Sequence, residues 1–450
     1  NPLACTGESP APEPGEYNGG TPTNAPDRNG KDLTVVDIPK LVGVGYFAST
    51  ASGMQEAAKE LGNITINTDG PTRANIDEQI TFVDNYITSG VDGILFAAND
   101  PVAIAPVLEK ALEAGINVVG YDADAEADAR QWFVNQALPN GVAKSMMDQL
   151  ASEIGEDGSF AIVTSTFTTP NQARWISEMQ AYTEKCYPNL KFLETVEAQE
   201  DNILSFNQAQ TLINKYGDEL NGILGMTSVA TPAAAEAVQQ NSLCGKVSVV
   251  GLALPNAMKP YINSDCIQST ILWNTVDLGY AAAQVMRQVA DGTLKPGATT
   301  VTAGRLGELQ IVNQSQVLLG QPKVFTKADI NQRRVCKADN AIEGPKLVFT
   351  CKVAECLHLT IEFSFFQAPH RTTSHNEFGL LSASTNQLLS HLRQLISQLS
   401  DGARQLGEVS QLNRDQSLET RQALELQRRQ TQPVTTARTE METAVQAVAQ

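Results

Sequence analysis

The fold is decided by two stretches, AIVTSTFTTPNQARWISEMQAYTE at residues 161–184 and TSVATPAAAEAVQQNSLCGKVSVVGLALPNAMKPY at residues 227–261. Each contains an apolar strand that runs into a polar, proline-bearing turn and then a helix. In an open parallel α/β sheet such turns lie at the carboxyl ends of the strands, where small ligands bind. Asn171, Gln172 and Asn256 fall at these turns. None of them is a proton-transfer group, so the pattern indicates a binding protein and not a catalyst.

The same alternation of strand and helix extends outward from residue 38 to about residue 325. Its strands are nearly continuous apolar runs, which is typical of a parallel sheet covered by helices on both faces. Because the alternation restarts after about 130 residues, we expect two similar α/β lobes. The predicted boundaries are residues 38–137 plus 275–297 for lobe 1 and residues 138–274 plus 298–332 for lobe 2, with hinges near residues 137, 274 and 297.

Charge and histidine content exclude several functions. The net charge of −18 argues against a nucleic-acid partner, because phosphate binding needs a basic surface. Residues 331–450 carry 13 Lys and Arg against 12 Asp and Glu, so the preceding residues hold the whole acidic excess. All four histidines lie beyond residue 350. The α/β part therefore lacks the commonest general base and metal ligand, and we expect no enzyme activity, no metal and no cofactor.

The first 37 residues are predicted to be a signal remnant and flexible tether. The chain starts at Asn1 without a methionine, and Leu-Ala-Cys resembles the end of a bacterial lipoprotein signal, whose cysteine takes the lipid. Cys5 is followed by a Pro/Gly/Ser-rich stretch suited to a tether. The interpretation is a lipid-anchored protein in the periplasm or on the extracytoplasmic face of the membrane; the alternative is a stray linker cysteine.

Two further cysteines precede neighbouring apolar runs. Cys244 lies before VSVVG and Cys266 before IQSTIL. If these strands are neighbours in a parallel sheet, both thiols lie at the same edge and a disulfide is feasible. Two ordinary buried thiols explain the pattern equally well.

Many collinear blocks in residues 38–332 carry a family resemblance. They include ASGMQEAAKELG, ANDPVAIAPVLEKALEAGINVVGYDAD, TPNQARW, TPAAAEA, GLALPNAMKPYI and LWNTVDLGY. These blocks resemble the type I periplasmic sugar-binding proteins of ABC importers, most closely the branch that binds rhamnose or autoinducer-2. The resemblance implies two Rossmann-like lobes joined by three crossovers, with a sugar held in the cleft between them.

The resemblance also implies which residues line that cleft. Phe47 would cover a sugar ring, Asp122 would accept hydroxyls, and Asn171 and Gln172 would form the polar pair on the second lobe. The other implied positions are Pro232, Ala234 and Asn274, and the residue pattern adds Asn256. Amides and carboxylates supply the hydrogen bonds that sugars need, and an aromatic face covers their C–H side.

Each of these residues also has a plain structural interpretation. Asp122 could cap a helix, as could Asn256 after Pro255. Gln172 could be a solvated residue of a first helical turn. Phe47 could be core, and for Trp273 we expect core.

Departures from the family indicate the ligand class. Autoinducer-2 binders have a lysine on the first helix where this chain has Gln55, and Asn171 replaces an aspartate. Both changes remove charge and favour a neutral sugar. Ribose binders have an aspartate at the position of Ala253, which disfavours ribose.

The C-terminal quarter has another pattern. Residues 333–375 are irregular, and residues 346–366 are apolar but interrupted by charges, which makes a membrane span costly. From Leu388 to Val409 apolar residues recur at three-and-four spacing, so residues 376–450 are predicted to form a helical coiled-coil tail that self-associates. This tail resembles a HAMP linker followed by the start of a methyl-accepting chemotaxis receptor helix.

Two functions therefore stay open, and both capture a small sugar. The first is an extracytoplasmic solute-binding protein that delivers the sugar to the membrane permease of an ABC importer. The alternative is the sugar- or autoinducer-2-sensing ectodomain of a chemotaxis-type receptor. An enzyme of the same fold is disfavoured by the missing histidines and catalytic motifs.

Overall fold

The computed structural model describes Cys5, Pro12 and residues 14–331. The predicted linker at 333–375, the apolar segment at 346–366 and the predicted coiled-coil tail at 376–450 lie outside the described residues. No helix in the described part of the chain is long and apolar enough to cross a membrane.

Lobe 1 is built on five parallel strands in the order β2-β1-β3-β4-β5. The strands are β1 (Leu33–Ile38), β2 (Ile64–Thr68), β3 (Gly93–Phe96), β4 (Asn117–Tyr121) and β5 (Trp132–Asn135). They alternate with helices α1 (Gly45–Leu61), α2 (Ile76–Ser89) and α3 (Pro101–Glu113). Side chains of a strand point alternately to the two faces. Accordingly, Val35 belongs to the apolar cluster under α1, and Val36 to the one under α2 and α3.

Lobe 2 repeats the design with a sheet in the order β7-β6-β8-β9. Its elements are α4 (Pro139–Ile154), β6 (Ser159–Thr164), α5 (Pro170–Cys186), β7 (Lys191–Glu197), α6 (Asn202–Tyr216), β8 (Gly222–Gly225), α7 (Ala230–Gln240), β9 (Ser248–Gly251), α8 (Pro255–Asn263) and β10 (Ser269–Leu272). A parallel bridge between Leu252 and Ile271 joins β10 to this sheet. The two-lobe α/β fold predicted from the alternation is therefore present.

After β10 the chain returns to lobe 1 through α9 (Thr275–Ala290), which packs against α1. Two glycines permit this close crossing. A Cβ on Gly53 would lie 1.8 Å from the carbonyl oxygen of Val276, and one on Gly279 would lie 1.9 Å from that of Thr50. Only a residue without a side chain allows the two backbones to approach so closely.

The predicted assignment of residues 298–332 to lobe 2 is wrong for most of this segment. Strands β11 (Thr300–Thr302), β12 (Glu308–Val312) and β13 (Gln316–Leu318) extend the sheet of lobe 1, with β13 parallel to β5. Short turns fold this segment into an antiparallel meander that covers the open edge of β5. Only β14 (Lys323–Thr326), paired with β10, and the short α10 (Lys327–Ile330) belong to lobe 2.

The crossovers between the lobes follow from these boundaries. The first lies between β5 and α4 and the second between β10 and α9, where the sequence predicts hinges near residues 137 and 274. The third lies at residues 319–322, between β13 and β14, and not near residue 297.

The predicted tether at residues 1–37 also needs correction. Strand β1 already starts at Leu33, and residues before it are anchored on lobe 1. The Tyr17 hydroxyl donates to the carbonyl of Gln131 (2.8 Å), and the Arg28 guanidinium pairs with Asp92 (3.0 Å). The proline- and glycine-rich composition here reflects an extended segment with specific anchors and not a free linker.

Two disulfides cross-link the described part of the chain. One joins Cys244 to Cys266, the pair for which the sequence leaves open a disulfide or two thiols. The other joins Cys5 to Cys186 at the end of α5. A sulfur atom in a disulfide cannot also carry a thioether-linked lipid. The structure therefore uses Cys5 differently from the predicted lipid anchor.

A buried carboxylate lies in the middle of lobe 1. Asp37 on β1 is fully buried and accepts hydrogen bonds from the Tyr121 hydroxyl (2.8 Å) and the Thr68 hydroxyl (2.9 Å). Burial raises the pKa of Asp37 from 3.8 to about 7, because no cation compensates the loss of hydration and these hydrogen bonds oppose the shift only in part.

We expect this group to lower the free energy of unfolding as the pH rises from about 4 to about 7. Within that window folded Asp37 keeps its proton while the unfolded chain has lost it, so deprotonation favours unfolding, by about 4 kcal/mol across the window. In urea titrations at several pH values, Asp37→Asn should make the free energy of unfolding less dependent on pH, by the equivalent of one proton. The exposed Asp128→Asn variant is the control, and an unchanged slope in Asp37→Asn would contradict the assignment.

Candidate functional site

The candidate site lies in the cleft between the lobes, at the carboxyl ends of the central strands. Lobe 1 contributes Lys40 after β1, Tyr46 and Phe47 at the start of α1, and Asp122 after β4. Lobe 2 contributes Asn171, Gln172 and Trp175 from α5, Glu200 after β7, and Met226, Thr227 and Ser228 after β8. Trp273 at the second crossover completes the wall.

Asp122 is the centre of the polar network. Its carboxylate is 3 % exposed and lies 3.0 Å from the Lys40 amine, which is 4 % exposed. The Tyr46 hydroxyl donates to its other oxygen (2.8 Å), and the Trp273 indole donates to the Tyr46 hydroxyl (2.8 Å). A buried carboxylate needs such partners, since an unpaired charge in the interior is very costly.

The backbone of Asp122 also joins the lobes. Its φ of +60° lies in the left-handed region, which Asp and Asn adopt more readily than other non-glycine residues. This conformation leaves its carbonyl free to accept from the Gln136 side chain (3.0 Å) and from Asn171 of lobe 2 (3.2 Å). Asp122 is therefore not a helix cap, and it contacts groups from both sides of the cleft.

Gln172 is held rigidly on the lobe 2 side. It is 2 % exposed, which rules out a solvated first-turn residue. Its side-chain oxygen accepts from the Thr164 hydroxyl (2.6 Å) and the Ser165 amide (2.8 Å). These bonds direct its amide nitrogen toward Glu200, 3.4 Å away.

Two titratable groups of the cleft are shifted toward their neutral forms. Burial is the main cause that raises the pKa of the Tyr46 hydroxyl well above 10, and the nearby Asp122 charge adds to it. Burial also raises the pKa of Glu200, although the positive charge of Lys40 opposes this. Tyr46 therefore acts only as a neutral hydrogen-bonding group, and Glu200 takes up a proton more readily than an exposed glutamate.

An aromatic wall faces these polar groups. Phe47 is 5 % exposed and meets Tyr46 edge to face, with ring centroids 5.1 Å apart. Trp175 and Trp273 are 5.7 Å apart across the lobes. The cavity between wall and network measures about 30 Å³, roughly the share of one water molecule, so the lobes are closed on each other.

Four of the predicted site positions lie outside the residues that line this cavity. Asn274 is exposed and caps α9, accepting from the amides of Val276 (3.1 Å) and Asp277 (3.3 Å). Asn256 is exposed on α8 and outside the cleft lining. Ala234 is fully buried in the core of lobe 2, and Pro232 is half-buried on α7. Residues 226–228 line the cleft instead, because the carboxyl end of β8 comes before α7 begins.

Several lining residues are absent from the sequence prediction. Lys40 and Glu200 each follow a strand at its carboxyl end, so the rule that singles out Asn171 could have found them. Trp273 is core, as expected, but it also lines the cleft. Gln55 is exposed on α1, so the cleft charge depends on Lys40 and not on that position.

The arrangement offers hydrogen bonds and apolar contact. The described residues include no group of three or more His, Cys, Asp or Glu side chains that could hold a metal ion. The hydroxyls among the lining residues belong to Thr227, Ser228 and the neutral Tyr46, and those of Thr227 and Tyr46 hydrogen-bond to Glu200 and Asp122. The site is built to hold a polar ligand of modest size.

Comparison with known proteins agrees with this geometry. The family model described as a periplasmic binding protein domain matches residues 35–294. The chain belongs to the periplasmic binding protein family. Its sequence is similar to the ABC transporter periplasmic-binding protein YphF of Escherichia coli K12 (25% identity, covering 46% of this chain and 64% of YphF). It is also similar to the D-ribose/D-allose-binding protein of Pseudomonas aeruginosa (26% identity, covering 50% of this chain and 74% of the relative).

Solved structures show the same two-lobe architecture. A sugar ABC transporter protein of Actinomyces odontolyticus is 32% identical, with a TM-score of 0.55, over 66% of this chain and 96% of that one. A solute-binding protein of Clostridium phytofermentas with bound L-rhamnose is 28% identical, with a TM-score of 0.64, over 67% of this chain and 98% of that one. Both alignments thus cover about two thirds of this chain and nearly all of the solved one.

The Lys40–Asp122 pair yields a stability prediction. Lys40→Met or Asp122→Asn alone should lower the free energy of unfolding by about 3–5 kcal/mol, because each leaves an unpaired buried partner. The double variant should recover much of that loss in a urea-unfolding mutant cycle. Asn suits position 122 because it tolerates the left-handed backbone.

The control is Lys191→Met, in the exposed pair with Glu219, which should lower the free energy of unfolding by about 1 kcal/mol or less. Strictly additive losses would show that the buried pair is not coupled.

Proposed function

We propose that this protein captures a small neutral sugar in the cleft between its lobes and releases it chemically unchanged. The observation that carries the proposal is the convergence of Asp122 from lobe 1 with Asn171 and Gln172 from lobe 2, against an aromatic wall. A ligand held at this point would contact both lobes.

The chemistry of a sugar fits each part of the site. Its hydroxyls both donate and accept, so they can replace the contacts that Lys40 and Asn171 make with Asp122. Glu200, with its raised pKa, can accept from one hydroxyl or, when protonated, donate to another. The C–H faces of the ring pack on Phe47, Trp175 and Trp273.

The charges of the lining residues and the ligands named for the relatives support a ligand class. The one lysine among the lining residues already faces two carboxyl groups, Asp122 and Glu200, so no positive charge is left over for an anionic ligand. Among the relatives, one is named for D-ribose and D-allose, one for xylitol, and one was solved with L-rhamnose. We favour a rhamnose-like deoxyhexose or another monosaccharide. Ala253 is fully buried and lies outside the lining, so its identity argues only weakly against ribose.

We further propose delivery of the sugar to the membrane permease of an ABC importer, in the periplasm or on the extracytoplasmic face of the membrane. Two disulfides support an oxidising compartment. The relatives are named as binding or transporter proteins, which supports binding without catalysis. A lipid could be attached to Cys5 only in a molecule in which the disulfide between Cys5 and Cys186 is not formed. The chemoreceptor alternative depends on residues 376–450, outside the described part.

A thermal-shift screen of the full chain with L-rhamnose, D-ribose, D-allose, D-xylose, D-glucose and autoinducer-2 tests the proposal. At least one neutral sugar should raise the midpoint of unfolding. Calorimetry should then show that Asp122→Asn weakens this sugar tenfold or more, because a hydrogen bond to a buried charge contributes about 1.5–3 kcal/mol.

The control is Asp128→Asn, which removes an exposed carboxylate of the same loop and should leave the affinity unchanged. Sugar affinity that is unaltered in Asp122→Asn would remove this residue from the site. A shift with autoinducer-2 alone would contradict the choice of a neutral sugar as the ligand.

A further inference from the structure

A second, larger cavity adjoins the cleft. It measures about 710 Å³ and shares Asp122, Asn171 and Trp175 with the inner cleft as common walls. Two of these shared residues are joined by a hydrogen bond from the Asn171 amide to the Asp122 carbonyl (3.2 Å). Pockets that bind small ligands have volumes of roughly 300–1,000 Å³, so this outer cavity is large enough for a sugar ring even with the lobes closed.

Its lining is rich in amide and aromatic side chains. Amide side chains are frequent, among them Asn135, Asn140 and Gln316, and Phe133 and Trp175 supply two aromatic faces. Its one arginine, Arg174, pairs with Glu178 on the next turn of α5 (2.6 Å). Asp124 is likewise neutralised by Arg130 (2.7 Å). The described lining residues thus offer many donors and acceptors and include no unpaired cation, which suits an uncharged, hydroxyl-rich group.

One buried group here lacks a partner. Gln136 is 1 % exposed and lines the outer cavity, and its amide nitrogen donates to the Asp122 carbonyl (3.0 Å). Its side-chain oxygen is buried and has no hydrogen-bond partner. A buried acceptor without a donor is unfavourable, and buried polar groups in proteins are nearly always paired. A hydroxyl group placed beside Gln136 would supply the missing donor.

We propose that the outer cavity is a second sugar subsite, and that the ligand is a disaccharide or glycoside whose terminal ring enters the inner cleft. This inference rests on the proposed function and specifies its ligand. The second ring would lie on the Phe133 and Trp175 faces, with its hydroxyls toward Asn140, Gln136 and Arg174.

The test compares disaccharides with their component sugars by calorimetry of the full chain. The matched probes are xylobiose with D-xylose, cellobiose and maltose with D-glucose, and rutinose with L-rhamnose. At least one disaccharide should bind about tenfold or more tightly than its component. Arg174→Ala and Asn140→Ala should each remove much of that gain and leave the affinity of the component sugar within about twofold. Both residues lie outside the inner cleft and outside the core clusters, so their loss should not unfold the protein.

Arg73→Ala is the control, because Arg73 is also exposed and paired with a nearby glutamate, Glu78, but lies on lobe 1 away from the cavity. The inference is overturned if a monosaccharide binds while every disaccharide binds more weakly or not at all. It is also overturned if Arg174→Ala and Asn140→Ala weaken both members of a pair equally. If neither class of probe binds, the proposed function itself fails and the subsite falls with it.

Discussion

The structure depends on one constraint, which is the burial of a charged carboxylate between two lobes. Asp122 is 3 % exposed, and removing its charge from water is tolerable only because Lys40, Tyr46 and the crossover residue Gln136 surround it. These partners come from different elements of lobe 1 and from the hinge. The left-handed backbone at Asp122 turns its carbonyl toward lobe 2, so the residue that organises one lobe also contacts the other.

The two-lobe design explains why such a network can hold a ligand. Each lobe has its own sheet and helices, and three short crossovers are the connections between their folds, with the Cys5–Cys186 disulfide as an additional covalent link. The apolar cluster that includes Phe47 and Trp175 continues through the cleft. Closing the lobes therefore buries apolar surface, while the polar contacts decide what may lie between them. A hydroxyl-rich ligand can satisfy those polar groups on both sides at once, which apolar or strongly charged molecules cannot.

Much of this could be predicted from sequence, for a physical reason. Continuous apolar strands alternating with helices allow few architectures, and polar residues after such strands meet at one sheet edge, which predicted Asn171 and Gln172 and also Asn256, which lies outside the lining. Asp122 was implied by the family resemblance. The wrong assignment of most of residues 298–332 depends on contacts distant in sequence. The meander of β11 to β13 joins lobe 1 through pairing with β5, some 180 residues earlier, and no local pattern encodes that. Ala234 and Asn274 lie outside the lining because helix register places Ala234 in the core and capping of α9 holds Asn274 at the surface. Lys40 also follows a strand, so the strand-end rule applies to it, whereas the family resemblance points only to position 55 on α1, where this chain has Gln55.

The most direct test is a crystal structure of the full chain with the neutral sugar that gives the largest thermal shift. Ring hydroxyls should lie within hydrogen-bond distance of the Asp122 carboxylate and of Asn171, with the direct contact between Lys40 and Asp122 opened or shared with the sugar. Density for the sugar elsewhere on the molecule, with the Lys40–Asp122–Tyr46 network unchanged, would show that this network is not the sugar site.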